Sequence, residues 1–417
     1  DFIKANPSFS DFAPSLFEHC AYNGAINFIP ITWNNIMVNY NRDLFDKAGI
    51  AYPKRDWTWD EFREAAKMLT VKDSAGNTTQ FGYEVPNQNF SAQSWFFSNG
   101  TSVLNKDWTA SNMLDPKVAE TLQFLHDLIH VDGVSPIPGA ETMDNQFVAG
   151  QVAMISRGQW IVQNAKANKV NMDIAIPPKK TEDGTIIGFG AYAIAAKTEQ
   201  PDLAKALVLE LTSEETQREQ GERGGGVPGR KSAASTEAFL SFPPSAFLYY
   251  ETLPFAHAVP SPANFQEIEK IFIRHYTAMM SGQETIAAGC QAADAEMNES
   301  FARRKAQMGG CPPRRDRREP APAVPLPLIP PNARSPAATT AVPRAMPSKA
   351  SPSSAGRPDT ASALTPSVAT GAAPGMPGSR LGVIASTVVS RCSDSSSAGA
   401  WARTLAAGSQ AAASATN

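Results

Sequence analysis

The chain has 417 residues, with 37 Lys and Arg against 40 Asp and Glu and a formal net charge of -3. That length holds two or three domains and can bury a sizeable core. Residues 1–308 carry 26 basic and 36 acidic side chains. This balance argues against nucleic-acid binding as the main role, and no run of 18 apolar residues is present to span a membrane.

Residues 27–30 and 36–40 are expected as short strands. Arg42–Ala48 is expected as a helix closed by Gly49, a natural left-handed cap. Thr58-Trp59-Asp60-Glu61 has the spacing of a capping box, and Phe62, Ala65, Ala66 and Leu69 then fall on one helical face. Asp115 before Pro116 opens another helix, with Ala119, Leu122, Leu125 and Ile129 on one side and Gly133 beyond its end. Further strands are expected over 151–156, 171–176 and 190–195. Helices are expected over 201–211 and 214–222, and two closing helices over 264–280 and 284–303. Strands alternating with helices indicate an α/β architecture.

Residues 309–417 differ in kind. Ala, Ser and Pro supply 56 of these 109 residues, Trp401 is the one aromatic, and 11 basic face 4 acidic side chains. Such a segment cannot bury enough apolar surface to offset its ordering entropy, so it is expected to be a disordered low-complexity tail. Its cluster Arg314-Arg315-Asp316-Arg317-Arg318 reads as solvated charge. Composition also fits out-of-frame translation of GC-rich DNA. The chain starts at Asp1 without Met or an apolar leader, which suggests a processed or truncated start.

Enzyme and metal motifs are weak. Neither GxSxG nor HExxH occurs. His126 and His130 share a helix face at i, i+4 but lack a third ligand at recognisable spacing. Residues 224–232 (GGGVPGRKS) miss a phosphate loop: Arg230 stands where Lys belongs and Pro228 removes an amide. Cys20, Cys290, Cys311 and Cys392 have no CxxC spacing and are expected to be incidental or buried thiols. No metal or cofactor is expected. Trp33, Trp95, Phe96, Phe97, Trp108 and Trp160 lie among Gly, Asn, Gln and Ser. An aromatic ring covers the C–H face of a sugar while amides and carboxylates meet its hydroxyls, although buried Trp is more often core.

The order of segments carries more than any one of them. Ala21-Tyr22-Asn23-Gly24, Phe28-Ile29-Pro30, Val38-Asn39-Tyr40-Asn41-Arg42-Asp43-Leu44-Phe45, Ala48-Gly49-Ile50 and Thr58-Trp59-Asp60-Glu61-Phe62 follow one another. Phe147-Val148-Ala149-Gly150-Gln151, Gly158-Gln159-Trp160, Gly188-Phe189-Gly190-Ala191-Tyr192 and the 213–217 segment come next. Over residues 1–305 this order resembles the extracellular solute-binding proteins of ABC importers, the family that includes maltose-binding protein.

The resemblance implies a two-lobe periplasmic-binding-protein fold of type II with ligand in the cleft and hinge closure around it. It implies non-catalytic capture of a sugar or related solute in the periplasm or at the extracellular surface, as a monomer, for handover to a membrane permease. The implied lobes are 33–188 with 262–305, and a partial first lobe of 1–32 with 190–260. The partial lobe, lacking its opening strands, is expected to pack poorly. The implied ligand contacts are Trp160, then Trp95 and Phe265, with Gly188 and Gly190 at one crossing segment and Trp33, Asn34 and Asn35 at another. Two alternatives stand beside it: a carbohydrate-active enzyme, which would need two flanking carboxylates, and a truncated product without binding function.

Overall fold

The computed structural model describes residues 2–22, 25–139 and 143–309. The expected disordered tail, its arginine cluster, Cys311 and Cys392 lie outside the described residues. The described residues build two mixed sheets and a small two-stranded one, with helices around them, so the α/β class holds.

Nine strands matter for the site: β1 (Ile29–Asn35), β2 (Met37–Asn41), β3 (Val71–Lys72), β4 (Thr78–Glu84), β5 (Val152–Arg157), β6 (Met172–Ala175), β7 (Thr185–Tyr192), β8 (Val227–Pro228) and β9 (Ala256–Ala258). One sheet has the order β3-β4-β5-β2-β6, the other β8-β1-β7-β9. β1 ends at Asn35 and β2 starts at Met37, so the single residue Ile36 carries the chain from one sheet to the other. Ile36 is fully buried, and its backbone N–H donates to the Ile186 carbonyl at 3.3 Å.

The helices named below are α1 (Arg42–Ala48), α2 (Trp59–Leu69), α3 (Asn89–Ser98), α4 (Pro116–His130), α5 (Ile161–Ala167), α6 (Pro201–Leu211), α7 (Glu214–Glu222), α8 (Phe265–Met280) and α9 (Ile286–Gly309). Their ends follow local chemistry. The Thr58 capping box forms as its spacing predicts: the Glu61 amide donates to Thr58 Oγ1 at 3.2 Å and the Thr58 amide to Glu61 Oε2 at 2.9 Å. Gly49 closes α1 in the left-handed region at φ 69°. The expected strand over 190–195 is displaced to Thr185–Tyr192. The β-branched run Thr185-Ile186-Ile187 forms its buried half, and the glycines lie inside the strand instead of at its start.

Core packing divides into clusters. The largest gathers Phe62, Tyr83, Trp95, Leu125, Phe272 and Met297 between α2, α3, α4, α8 and α9. A second joins Trp33, Phe147, Ile155, Ile174 and Val227 with Phe239, Ala246 and Tyr249. The segment 239–249, expected with the first lobe, thus packs on strands of the five-stranded sheet. Ser245 also donates from its backbone and hydroxyl to Asp173 on β6, at 2.8 and 2.9 Å. The residues of the expected partial lobe have their own apolar cluster around Phe9, Phe12, Ile29 and Val208. On α6, Leu203 and Leu207 are exposed.

Candidate functional site

Period-two alternation on the β1–β7 pair sorts the expected contacts into two groups. Thr32 stands opposite Gly190 and Asn34 opposite Gly188, which puts these four on one face. Trp33 opposite Phe189 and Asn35 opposite Ile187 occupy the other. Residues 33, 34 and 35 therefore do not share a surface. Trp33 is fully buried, and its indole N–H donates to the Pro228 carbonyl at 3.1 Å. Asn35 is likewise buried, donating to the Tyr249 carbonyl at 3.1 Å and to Thr252 Oγ1. The structure places both side chains in the interior.

On the Asn34 face two aromatic rings meet over two glycines. Trp160 follows β5 at the entry of α5, and its ring folds back over Gly158: a Cβ there would lie 2.1 Å from the indole. Phe90, in the first turn of α3, covers Gly188, where a Cβ would lie 2.9 Å from the ring. The two rings approach to 6.1 Å between centroids at 48°. Both stay half-buried and pack on Ile36, Phe97 and Ile186, with Val259 beside them. This small cluster thus gathers the Ile36 crossing, β7 and the segment after β9.

Arg157, the last residue of β5, fixes this arrangement. It is 3 % exposed, and its Nε donates to Asp144 Oδ1 at 2.7 Å and its Nη1 to Ser91 Oγ at 3.2 Å. One guanidinium therefore ties the strand leading to Trp160 to the helical turn carrying Phe90. Charge-assisted bonds of this kind are short and directional. Gln159 is 1 % exposed, and its backbone N–H donates to Asn34 Oδ1 at 2.9 Å.

Trp95 is core. It is 2 % exposed, donates to the Tyr83 hydroxyl at 3.0 Å, and meets Trp59, Phe62, Tyr83 and Phe124 at 5.0–5.8 Å between centroids. Phe265, at the start of α8, is half-buried and lines a small cavity with Asn89, Gln93, Pro260 and Glu269. Gly190 is exposed, and a Cβ there would make only ordinary contact with Ile31 and Thr32. Trp160, Asn34 and Gly188 are thus brought together, with Gly190 further along the same face. Phe90, Arg157 and Gly158 were not foreseen as members. The strongest available signal for them was the Gly158-Gln159-Trp160 motif.

The other candidate chemistries resolve structurally. Arg230 of the phosphate-loop near miss is buried. It donates to the carbonyls of Thr212 and Ser8, both at 2.6 Å, and lies over the Phe12 ring at 4.8 Å. Burial lowers its pKa despite Asp11 nearby. The His126 and His130 rings meet at 4.3 Å between centroids, tilted by 33°, and His130 Nε2 lies 2.9 Å from the Met280 carbonyl. Among the described residues no group of three metal-ligating side chains converges. Cys20 and Cys290 are buried free thiols, the first pushed up to about 12 and the second to about 11 by desolvation. Among the described residues no helix is long and apolar enough to cross a membrane.

Comparison with known proteins agrees with this architecture. An ABC substrate-binding protein from Listeria monocytogenes, solved in complex with cycloalternan, superposes with a TM-score of 0.65 at 21% identity. The match covers 72% of this chain and 79% of that one. The sugar-binding protein MalE from Xanthomonas citri gives 0.64 at 18% identity, covering 75% and 80%. Among curated sequences, a binding protein of Brucella abortus (strain 2308) is 28% identical over 172 residues, 39% of either chain. The galactooligosaccharide-binding protein of Bacillus subtilis (strain 168) is 26% identical over 171 residues, 40% of this chain and 38% of that one. The chain thus spans about two fifths of the length of these curated relatives. The profile of the bacterial extracellular solute-binding proteins matches residues 2–243, and the chain belongs to that family.

Proposed function

We propose that this protein captures a carbohydrate or related neutral solute, without altering it, outside the cytoplasmic membrane and delivers it to an ABC import permease. The observation that carries this reading is the Trp160–Phe90 pair, half-buried over Gly158 and Gly188 where the two sheets join. Two rings at an angle offer apolar faces to the C–H surface of a sugar. Asn34 on the same face supplies polar atoms, and relatives named for oligosaccharide or sugar binding favour the same ligand class. The nearby cation Arg157 is already paired with Asp144, which favours a neutral ligand over an anionic one.

In this reading the expected lobe bounds move to the sheet crossings, giving 36–184 with 262–305 and 1–35 with 185–260, with the 239–249 segment packing across that boundary. Ligand contacts are Trp160, Phe90, Asn34, Gly188 and Gly190, with Phe265 at the edge. The protein acts as a monomer, uses no cofactor and has no nucleic-acid partner. Calorimetry against a panel of mono- and oligosaccharides tests binding. Chromatography of the recovered sugar tests whether it leaves unchanged.

A further inference from the structure

Gln159 has a role that neither the motif nor the aromatic pair explains. It is 1 % exposed, sits between Gly158 and Trp160, and bonds three separate pieces of chain. Its backbone N–H donates to Asn34 Oδ1 at 2.9 Å, on β1. Its side-chain Oε1 accepts the Gly226 N–H at 2.7 Å, and its Nε2 donates to the Gly221 carbonyl at 3.5 Å. Gly221 belongs to the last turn of α7, and Gly226 immediately precedes β8 in the four-stranded sheet. One side-chain amide therefore holds both ends of the Gly221–Gly226 turn against the end of α5 that carries Trp160.

The turn closes the end of α7 with two backbone bonds of its own, from the Gly224 N–H to the Gly221 carbonyl and from the Gly225 N–H to the Gln220 carbonyl, both at 3.0 Å, and neither reaches outside it. Gly224 and Gly226 have φ of 83° and 134°, conformations that other residues rarely adopt. Neither has room for a side chain: a Cβ on Gly226 would lie 2.9 Å from the Thr32 Cβ, and one on Gly224 2.9 Å from the Gln163 backbone nitrogen. Lys166 Nζ adds a donation to the Glu222 carbonyl at 3.3 Å from an exposed position. Glycine-rich backbone has the most freedom to lose on ordering, so its order depends on what anchors it. The buried anchor is the Gln159 amide, whose donor and acceptor match the two backbone groups it meets.

We propose that Gln159 is a positioning residue: a latch that holds the Gly221–Gly226 turn beside Trp160, so that the turn and the aromatic pair form one wall and bound solute leaves slowly. The effect on solute release rests on the binding function proposed above; the latch itself does not. It acts between elements attached to different sheets, so it couples the Trp160 side of the site to the β8 side.

Hydrogen exchange on the full chain without ligand tests the latch. Gln159→Met keeps the side-chain volume and removes both bonds. It should speed exchange in a peptide covering 221–227 by about tenfold, equal to about 1.4 kcal/mol, while a peptide covering 152–157 exchanges as in wild type. Gln159→Glu should behave like Gln159→Met at pH 8, where a carboxylate meets the Gly221 carbonyl. Burial at this 1 % exposed position raises a carboxyl's pKa, so lowering the pH to 5 adds the proton that restores both bonds, and protection should return towards wild type at the same pH. Stopped-flow release of maltotriose should be about tenfold faster in Gln159→Met with the association rate unchanged. Unchanged exchange at 221–227 in Gln159→Met overturns the latch, whatever the sugar does. Faster exchange with unchanged release overturns its role in retention. If wild type does not bind maltotriose, the retention claim falls, and the exchange result still decides the latch.

Discussion

Phe90 lies against Gly188: a methyl group on that glycine would sit 2.9 Å from the ring edge. The contact joins the first turn of α3 to the middle of β7 in the four-stranded sheet. Gly188→Ala should displace Phe90 from Trp160. Sugar affinity should fall about tenfold, or about 1.4 kcal/mol, with the fold retained. Titration calorimetry with circular dichroism on the same sample checks both.

Trp160 and Trp95 should respond in opposite ways. Trp160 is half-buried at the site, so Trp160→Ala removes ring contact with ligand, on the order of 1.5–3 kcal/mol or one to two decades of affinity. Trp95 is 2 % exposed within a web of five aromatics. Trp95→Ala should instead cost about 3–5 kcal/mol of stability. Urea unfolding and binding measured in parallel separate them. A stable Trp95→Ala protein with lost binding would return Trp95 to the site.

Arg157 and Asp144 form a buried pair in which only the carboxylate reaches solvent. Asp144→Ala leaves the guanidinium buried without its anion and should destabilise by about 3–5 kcal/mol. Combining it with Arg157→Met should recover part of that loss, because the uncompensated charge is gone. A double variant less stable than Asp144→Ala alone would show that Ser91 satisfies Arg157 without Asp144.

Much of this was legible beforehand because its causes are local. The Thr58 capping box, the Pro116 start and the Gly49 stop are each set within a few residues of chain. The missed helix α3 lacks a polar side, since every residue from Ser91 to Ser98 is buried, and periodicity has nothing to detect. The site was half legible for a related reason. The Gly158-Gln159-Trp160 motif marks one ring, but its partner Phe90 is 70 positions away in that unpatterned helix. The resemblance implies Trp33, Asn34 and Asn35 together because all three lie beside one crossing segment, whereas strand alternation sends Trp33 and Asn35 to the opposite face.

Acid should weaken the fold in two stages. His257 stacks on Phe97 at 4.3 Å, and burial lowers its pKa, with Glu182 opposing. The unfolded chain then takes up the proton first, so stability falls as pH drops below about 6.5 and levels off below the folded value. Glu267 is held below the usual carboxylate range by hydrogen bonds from Ser300 and Arg303, and Glu296 by Arg274 and then His275. Depressed carboxylates add stability that is present above about 4.3 and lost as pH falls through their folded values. Melting temperature followed from pH 8 to pH 3 should show both steps, and His257→Gln should flatten the upper one.

The central claim is that the Trp160–Phe90 pair binds an unmodified sugar. Isothermal titration of wild type and Trp160→Ala against one oligosaccharide series, with the sugar recovered and identified afterwards, tests it most directly. The account predicts saturable binding by wild type, a loss of one to two decades in the variant, and sugar recovered intact. Equal affinity in the two proteins, no binding across the series, or a cleaved product would contradict it.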